Sequence, residues 1–279
     1  MRSQSFSVDG SFKFLNEEKF LSEIGWDGAE CGKLWRYNQH YFDDLNSFGA
    51  DQRYDFHRQL MFDWIDKNKA GSGTGWEPYP TSLRIVNWIK WSFAGHTLPD
   101  ECLQSLTIQT RWLSKNIEWH ILGNHLFANA KALVFAGLFF DGEEPRRWLD
   151  TGLEILINEV SEQVLPDGGH FERSPMYHSI FLEDMLDIIN LFEAFPNVTI
   201  SDQLKLFRKI ASRMLTWLEN MCHPDQEIAF FNDAAIGIAP TPKALRSYAR
   251  RLNFSTHRGT SDKEELFMIH HPYFPVTPL

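Results

Sequence analysis

Most residues able to do chemistry fall in four short segments, each just ahead of an apolar stretch. They are Trp76-Glu77-Pro78-Tyr79-Pro80-Thr81-Ser82-Leu83-Arg84, Gly123-Asn124-His125, the run DGGHFERSPMYH from Asp167 to His178, and Phe231-Asn232-Asp233-Ala234-Ala235. Asn offers amide donors, His and Tyr exchange protons, Arg grips anions with two prongs, and paired carboxyl groups serve as acid and base. Each residue alone also has an ordinary structural account. Asn124 is among the best helix caps. His125 and Tyr177 suit hydrogen-bonded core positions, and Arg173 suits the surface. Glu172 suits a helix start, Arg84 and Asp233 suit ties between loops, and His178 suits an exposed loop. The choice lies between caps with satisfied core polars and one active site assembled by the fold.

Composition narrows the classes. The chain has 279 residues, 43% hydrophobic and 14% aromatic, which excludes a disordered chain and allows a sizeable core. Its net charge of −10 and lack of a long basic run argue against a nucleic-acid partner. Cys31, Cys102 and Cys222 are far apart with no CxxC pair, so free thiols are expected rather than disulfides or a metal cluster. No apolar run approaches about 18 residues, so no membrane span is expected. The opening MRSQSFSVDGSFKFL has no apolar core of a secretory leader. The expected location is therefore cytoplasmic, or periplasmic or secreted if the natural N-terminus lies upstream. The sequence says nothing of oligomeric state.

The elements that must position these groups are helices nearly throughout. Phe56, Leu60, Met61, Trp64 and Ile65 recur at three- and four-residue intervals over 52–68. Similar stripes predict a helix starting near Ser82, and others over 101–116, 146–164, 179–194, 202–221 and 241–252. Leu126 to Phe140 is apolar almost all round and predicts a buried helix. Strand-like alternation is confined to the ends and to Glu227–Phe231. The joins carry Pro, Gly and Asp or Asn, as in EPYPTS, LPDGG and APTP. A solenoid should show a repeat of about 34–47 residues, and none is visible. The expected fold is therefore all-α, an incomplete (α/α) toroid of antiparallel helical hairpins, whose inter-helix loops would share one rim.

The segments KLWRYNQHYF (33–42), WEPYPTSLRIVNW, GNHLFANAKAL and DGGHFERSPMYH together resemble the heparinase II/III-like family of polysaccharide lyases. The resemblance runs in order from about residue 33 to about residue 250. It implies an (α/α) toroid followed by an antiparallel β-sandwich, and cleavage of uronic-acid polysaccharides by β-elimination. It implies that Asn124 neutralises the substrate carboxylate, that His125 is its catalytic neighbour, and that Tyr177 is the catalytic tyrosine. A sandwich takes about 100 residues, and only residues 253–279 follow Leu252. The expected organisation is an N-terminal extension (1–32), the toroid (33–253) and a tail (254–279), without the second lobe. That lobe carries zinc in some members of the family, so no cofactor is expected here.

Elimination across C4–C5 of a uronide removes a weakly acidic C5 proton beside an ionised carboxylate. An amide donor on that carboxylate lets charge build up in an enolate-like transition state. A tyrosine near the glycosidic oxygen can serve as acid and in turn as base, if cations lower its usual pKa of about 10. Arg173, His125 and His178 are the candidate cations. Trp76 and Tyr79 could carry sugar rings, and Arg84, His178, Glu172 and Asp233 complete the expected substrate contacts. No metal is needed for this step. The expected partner is an acidic polysaccharide or oligosaccharide of bacterial origin. The negative net charge points to a sparsely charged polymer or a chain end rather than to heparin itself. Two other readings stand beside this one. A toroidal glycoside hydrolase would pair Glu172 with Asp233 or Glu77. A non-catalytic domain would only bind carbohydrate.

Overall fold

The computed structural model describes residues 3–121, 123–196, 200–235, 237–255 and 274–275. The chain divides into two units, Met1–Glu154 with Ile269–Leu279, and Ile155–Met268. The acidic run Asp262–Glu265 and the pair His270-His271 lie outside the described residues. Among the described residues, no helix is long and apolar enough to cross a membrane.

The first unit opens with an antiparallel hairpin, β1 (Ser11–Phe14) and β2 (Glu17–Phe20). Described residues ahead of position 33 contribute to the core of the first unit. Phe6 and Phe12 are buried, and the Asp44 carboxylate accepts the backbone N–H groups of Ser5 and Phe6 at 2.7 and 3.2 Å. Six helices follow: α1 (Leu21–Ile24), α2 (Lys33–Tyr41), α3 (Tyr54–Lys67), α4 (Pro78–Phe93), α5 (Asp100–Lys115) and α6 (Gly123–Phe139). Central α4 packs on α2, α5 and α6, and buries Ile85, Trp88, Ile89 and Trp91. The periodicity does not signal α2, because polar Gln39 and His40 occupy its buried face.

Where helix starts differ from expectation, proline is the reason. The fourth helix begins at Pro78, four residues ahead of Ser82, since Pro78 and Pro80 occupy a first turn whose N–H groups need no partner. Tyr79 is therefore a helical residue. The sixth helix is apolar all round as expected, but it opens at Gly123, whose φ of +62° suits glycine. Asn124 thus falls within the first turn. Small residues on α6 let the next helix, α7 (Glu143–Gln163), come close. A Cβ on Gly137 would lie 2.7 Å from the Leu149 nitrogen and 2.8 Å from the Pro145 oxygen.

The α7 helix runs through the division between the units. The second unit continues with α8 (Pro175–Ala194), α9 (Ser201–Asn220) and α10 (Pro242–Arg251), and α8 packs on both α9 and α10. Its core gathers Phe181, Leu182, Met185 and Phe192 with Phe207, Ile210 and Met214. Ser174 caps α8 by accepting the Tyr177 N–H, and Pro175 follows it, so this helix also starts four residues ahead of expectation. The alternation at Glu227–Phe231 yields a single antiparallel bridge, Cys222 to Ile228. Two further residues, β3 (Phe140–Asp141), pair in parallel with β4 (Phe274–Pro275) in the first unit.

Because two backbone atoms and the Leu149 Cβ, none of them the end of a flexible side chain, meet Gly137, Gly137→Ala should cost about 1–3 kcal/mol in a urea unfolding titration. An unchanged midpoint would show that the two helices yield freely there.

Candidate active site

In the first unit, the reactive side chains are held by α2, α4, α6 and the loop before α6. Tyr79 stacks on the His125 ring, with centroids 4.3 Å apart and planes 23° from parallel. His125 Nδ1 lies 3.1 Å from Oε1 of Glu118. The other Glu118 oxygen accepts from Asn129 Nδ2 at 3.1 Å, and the Glu118 N–H donates to Asn129 Oδ1 at 2.8 Å. Asn129 is fully buried and also donates to Ser82 Oγ at 3.0 Å. The Tyr37 hydroxyl donates to Glu77, which Lys33 also approaches at 3.0 Å. Burial first, then the Glu77 hydrogen bond and the charges of Glu77 and Glu118, push the Tyr37 hydroxyl pKa up, so Tyr37 stays protonated. Asn124 is half-buried, and its amide takes no hydrogen bond among the described residues.

Two residues expected to face substrate here are core residues instead. Arg84 is fully buried, with its guanidinium 3.8 Å over the Trp64 ring. It donates to Gln109 Oε1 at 2.8 Å and to the His40 carbonyl and Thr81 Oγ1 at 3.3 Å each. Trp76 packs between Trp64 and Trp112 and donates to the Asn68 carbonyl at 3.2 Å. Neither offers a surface to a sugar.

In the second unit, the chain makes a tight turn bridged from Val164 to His170, then enters α8. Arg173 takes φ of +56°, in the left-handed region, and its N–H donates to the His170 carbonyl at 2.9 Å. Asn232 and Asp233 are left-handed as well, at +45° and +60°. The Asn232 amide donates to the carbonyls of Glu172 and Arg173 at 3.3 and 3.4 Å, so the two loops are tied backbone to side chain. Asn and Asp adopt this region readily, so the backbone strain of the two loops falls on Arg173. Burial, then the charge of Asp233, raises the Glu172 carboxyl pKa. Tyr177 is half-buried on the first turn of α8, and Arg173 and Asp233 are exposed. Exposed Phe171, Phe230 and Phe231 stand beside these residues in the chain.

His178 is a third correction. It is fully buried, with Nε2 3.0 Å from the Met214 carbonyl and its ring 4.4 Å from that of Trp217. Burial pushes its pKa down to about 3 and that of His170 to about 4. His178 is therefore neutral and supplies no cation to Tyr177; it staples α8 to α9. Glu118 and Asn129 escaped the sequence reading. The local signal for them is Asn129 set within the largely apolar run from Leu126 to Phe139. Among the described residues, no three His, Cys, Asp or Glu side chains are grouped to hold a metal ion.

A histidine with a depressed folded pKa gives stability that is full above its unfolded value near 6.5. That stability fades as pH falls toward the folded value. Unfolding free energy should therefore drop between pH 6.5 and about 4, and His178→Gln should flatten that slope in parallel urea titrations. An equal slope in variant and parent would remove His178 from the account.

The heparinase II/III N-terminus family model matches residues 35–255, a range that holds all of the site segments above. A heparin-sulfate lyase of Pedobacter heparinus is 30% identical over 193 residues, covering 62% of this chain and 28% of that protein. One of Bacteroides thetaiotaomicron is 38% identical over 154 residues, covering 49% and 21%. The chain thus spans under a third of the length of these curated relatives. A crystal structure of heparan sulfate lyase from Pedobacter heparinus aligns with a TM-score of 0.58 at 21% identity, covering 88% of this chain and 41% of that one. A crystal structure of heparinase III aligns at 0.61 and 19%, covering 84% and 38%. These likenesses show the fold class, all-α and of the (α/α) toroid kind. With its model matched over most of its length, the chain belongs to the heparinase II/III N-terminus family.

Proposed function

We propose that this chain is the helical part of a polysaccharide lyase that cleaves an acidic, uronic-acid-containing polysaccharide by β-elimination. The observation that carries the reading is the family match over 35–255, which contains Asn124-His125 and Tyr177. Each of these stands on the first turn of a helix. A helix N-terminus has unpaired N–H groups and the positive end of the dipole, so it favours anions.

In this reading Asn124 donates to the uronate carboxylate and lets the C5 proton leave as charge moves into an enolate-like transition state. Tyr177 gives a proton to the leaving O4. Either Tyr177, earlier in its deprotonated form, or His125 takes the C5 proton. Arg173 is the remaining cation of the second unit's cluster and grips a carboxylate. Tyr79 offers ring surface for a sugar beside His125. The net charge of −10 favours a sparsely charged polymer over a densely sulfated one.

The raised Glu172 carboxyl beside Asp233 supports one other reading, hydrolysis with Glu172 as proton donor. Elimination leaves a C=C conjugated to the carboxylate, and hydrolysis does not. A panel of uronic-acid polymers followed by ultraviolet absorbance should show unsaturated product. Reducing ends without new absorbance would instead give the site to hydrolysis. Tyr177→Phe should lower kcat by about 10²–10⁴-fold, and Asn124→Ala by about 10²-fold or more, both with unchanged melting. Wild-type turnover by Tyr177→Phe would remove that residue from the chemistry.

A further inference from the structure

We propose that Glu118 is the positioning residue of His125, fixing the imidazole with its proton on Nδ1 and leaving Nε2 to exchange a proton with substrate. An ionised carboxylate only accepts, so the 3.1 Å contact between Glu118 Oε1 and His125 Nδ1 makes that nitrogen the donor. Nε2 takes no hydrogen bond among the described residues. The inference rests on His125 belonging to the elimination site.

The geometry goes beyond a chance surface pair. The Glu118 side chain is 7% exposed, against 25% for His125, so the acceptor is sequestered while the imidazole reaches solvent. Asn129 clamps Glu118 twice, accepting the Glu118 backbone N–H at Oδ1 and donating from Nδ2 to the Glu118 carboxylate, and is anchored in turn on Ser82. A buried amide is costly unless its groups are paired, and two of the three pairings here go to Glu118, one of them to its carboxylate. Tyr79 lies flat on the imidazole and fixes the plane of the ring. The other charged and titratable groups nearby come from α2 and the start of α4. They are Lys33, Tyr37 and Glu77, and they are bonded to one another. Glu118 is thus the charge that meets the imidazole directly.

The test reads the resting chain. Histidine-selective ¹⁵N labelling with long-range proton–nitrogen correlation reports tautomer and titration midpoint, and the His125→Asn spectrum assigns the resonance. The wild type should show the Nδ1–H tautomer. In Glu118→Gln the Nδ1–H preference should be lost, and Glu118→Asp should restore most of it. An Nε2–H tautomer in the wild type, or one tautomer mixture shared by all three folded proteins, would overturn the proposal. On a uronan that the wild type cleaves, Glu118→Gln should lower kcat with KM near the wild-type value. The shape of its pH profile should differ from that of the wild type. A chain that makes no unsaturated product from any uronan would defeat the elimination reading alone, since the resonances decide the Glu118–His125 pair without turnover.

Discussion

The first unit is organised around one buried guanidinium. Arg84 projects from α4, reaches Gln109 on α5, the His40 carbonyl on α2 and its own turn at Thr81, and lies over the Trp64 ring of α3. Removing such a group from water costs several kcal/mol, and three hydrogen-bond partners with one aromatic face offset that cost. The arrangement demands that four helices keep a fixed spacing and rotation. The start of α4 is thereby set, and with it Tyr79 and Ser82, on which the His125 assembly depends. A lysine could not replace the planar fork at this position.

A second regularity governs the reactive groups. Tyr79, Asn124 and Tyr177 all stand on the first turn of a helix, and a proline or glycine defines each start. First-turn residues combine a rigid backbone with side chains that need not enter the core. The same turns leave amide hydrogens unpaired. These three candidate groups are thus carried by stiff elements, while Glu118, Arg173 and Asp233 stand on loops.

This also explains what was legible in the sequence. The stripes over 52–68, 101–116 and 202–221, read from three- and four-residue spacing, correspond to helices at Tyr54–Lys67, Asp100–Lys115 and Ser201–Asn220. The starts of α4 and α8 were placed four residues late, because the apolar stripe begins only where the side chains turn inward. Ser174-Pro175 carried the needed signal. Asn124, Tyr177, Glu172 and Asp233 could be picked out as unusual polar residues near helix starts. Trp76, Arg84 and His178 could not be sorted from them, since burial follows from helices distant in the chain. Glu118 was invisible for the same reason: its partner Asn129 is 11 positions away across a loop and a helix turn.

The double clamp of Asn129 on Glu118 has a consequence for the way sequence change is felt. Asn129 and Ser82 are both fully buried. A substitution at either position would leave the exposed chemistry untouched in identity yet free the carboxylate behind the imidazole. On the elimination reading, loss at these two sites would lower activity alongside the candidate residues, while a survey of surface contacts would pass over them. Tolerance at Ser82 would hinge on which residue stands at 129, so the two positions should drift together or not at all.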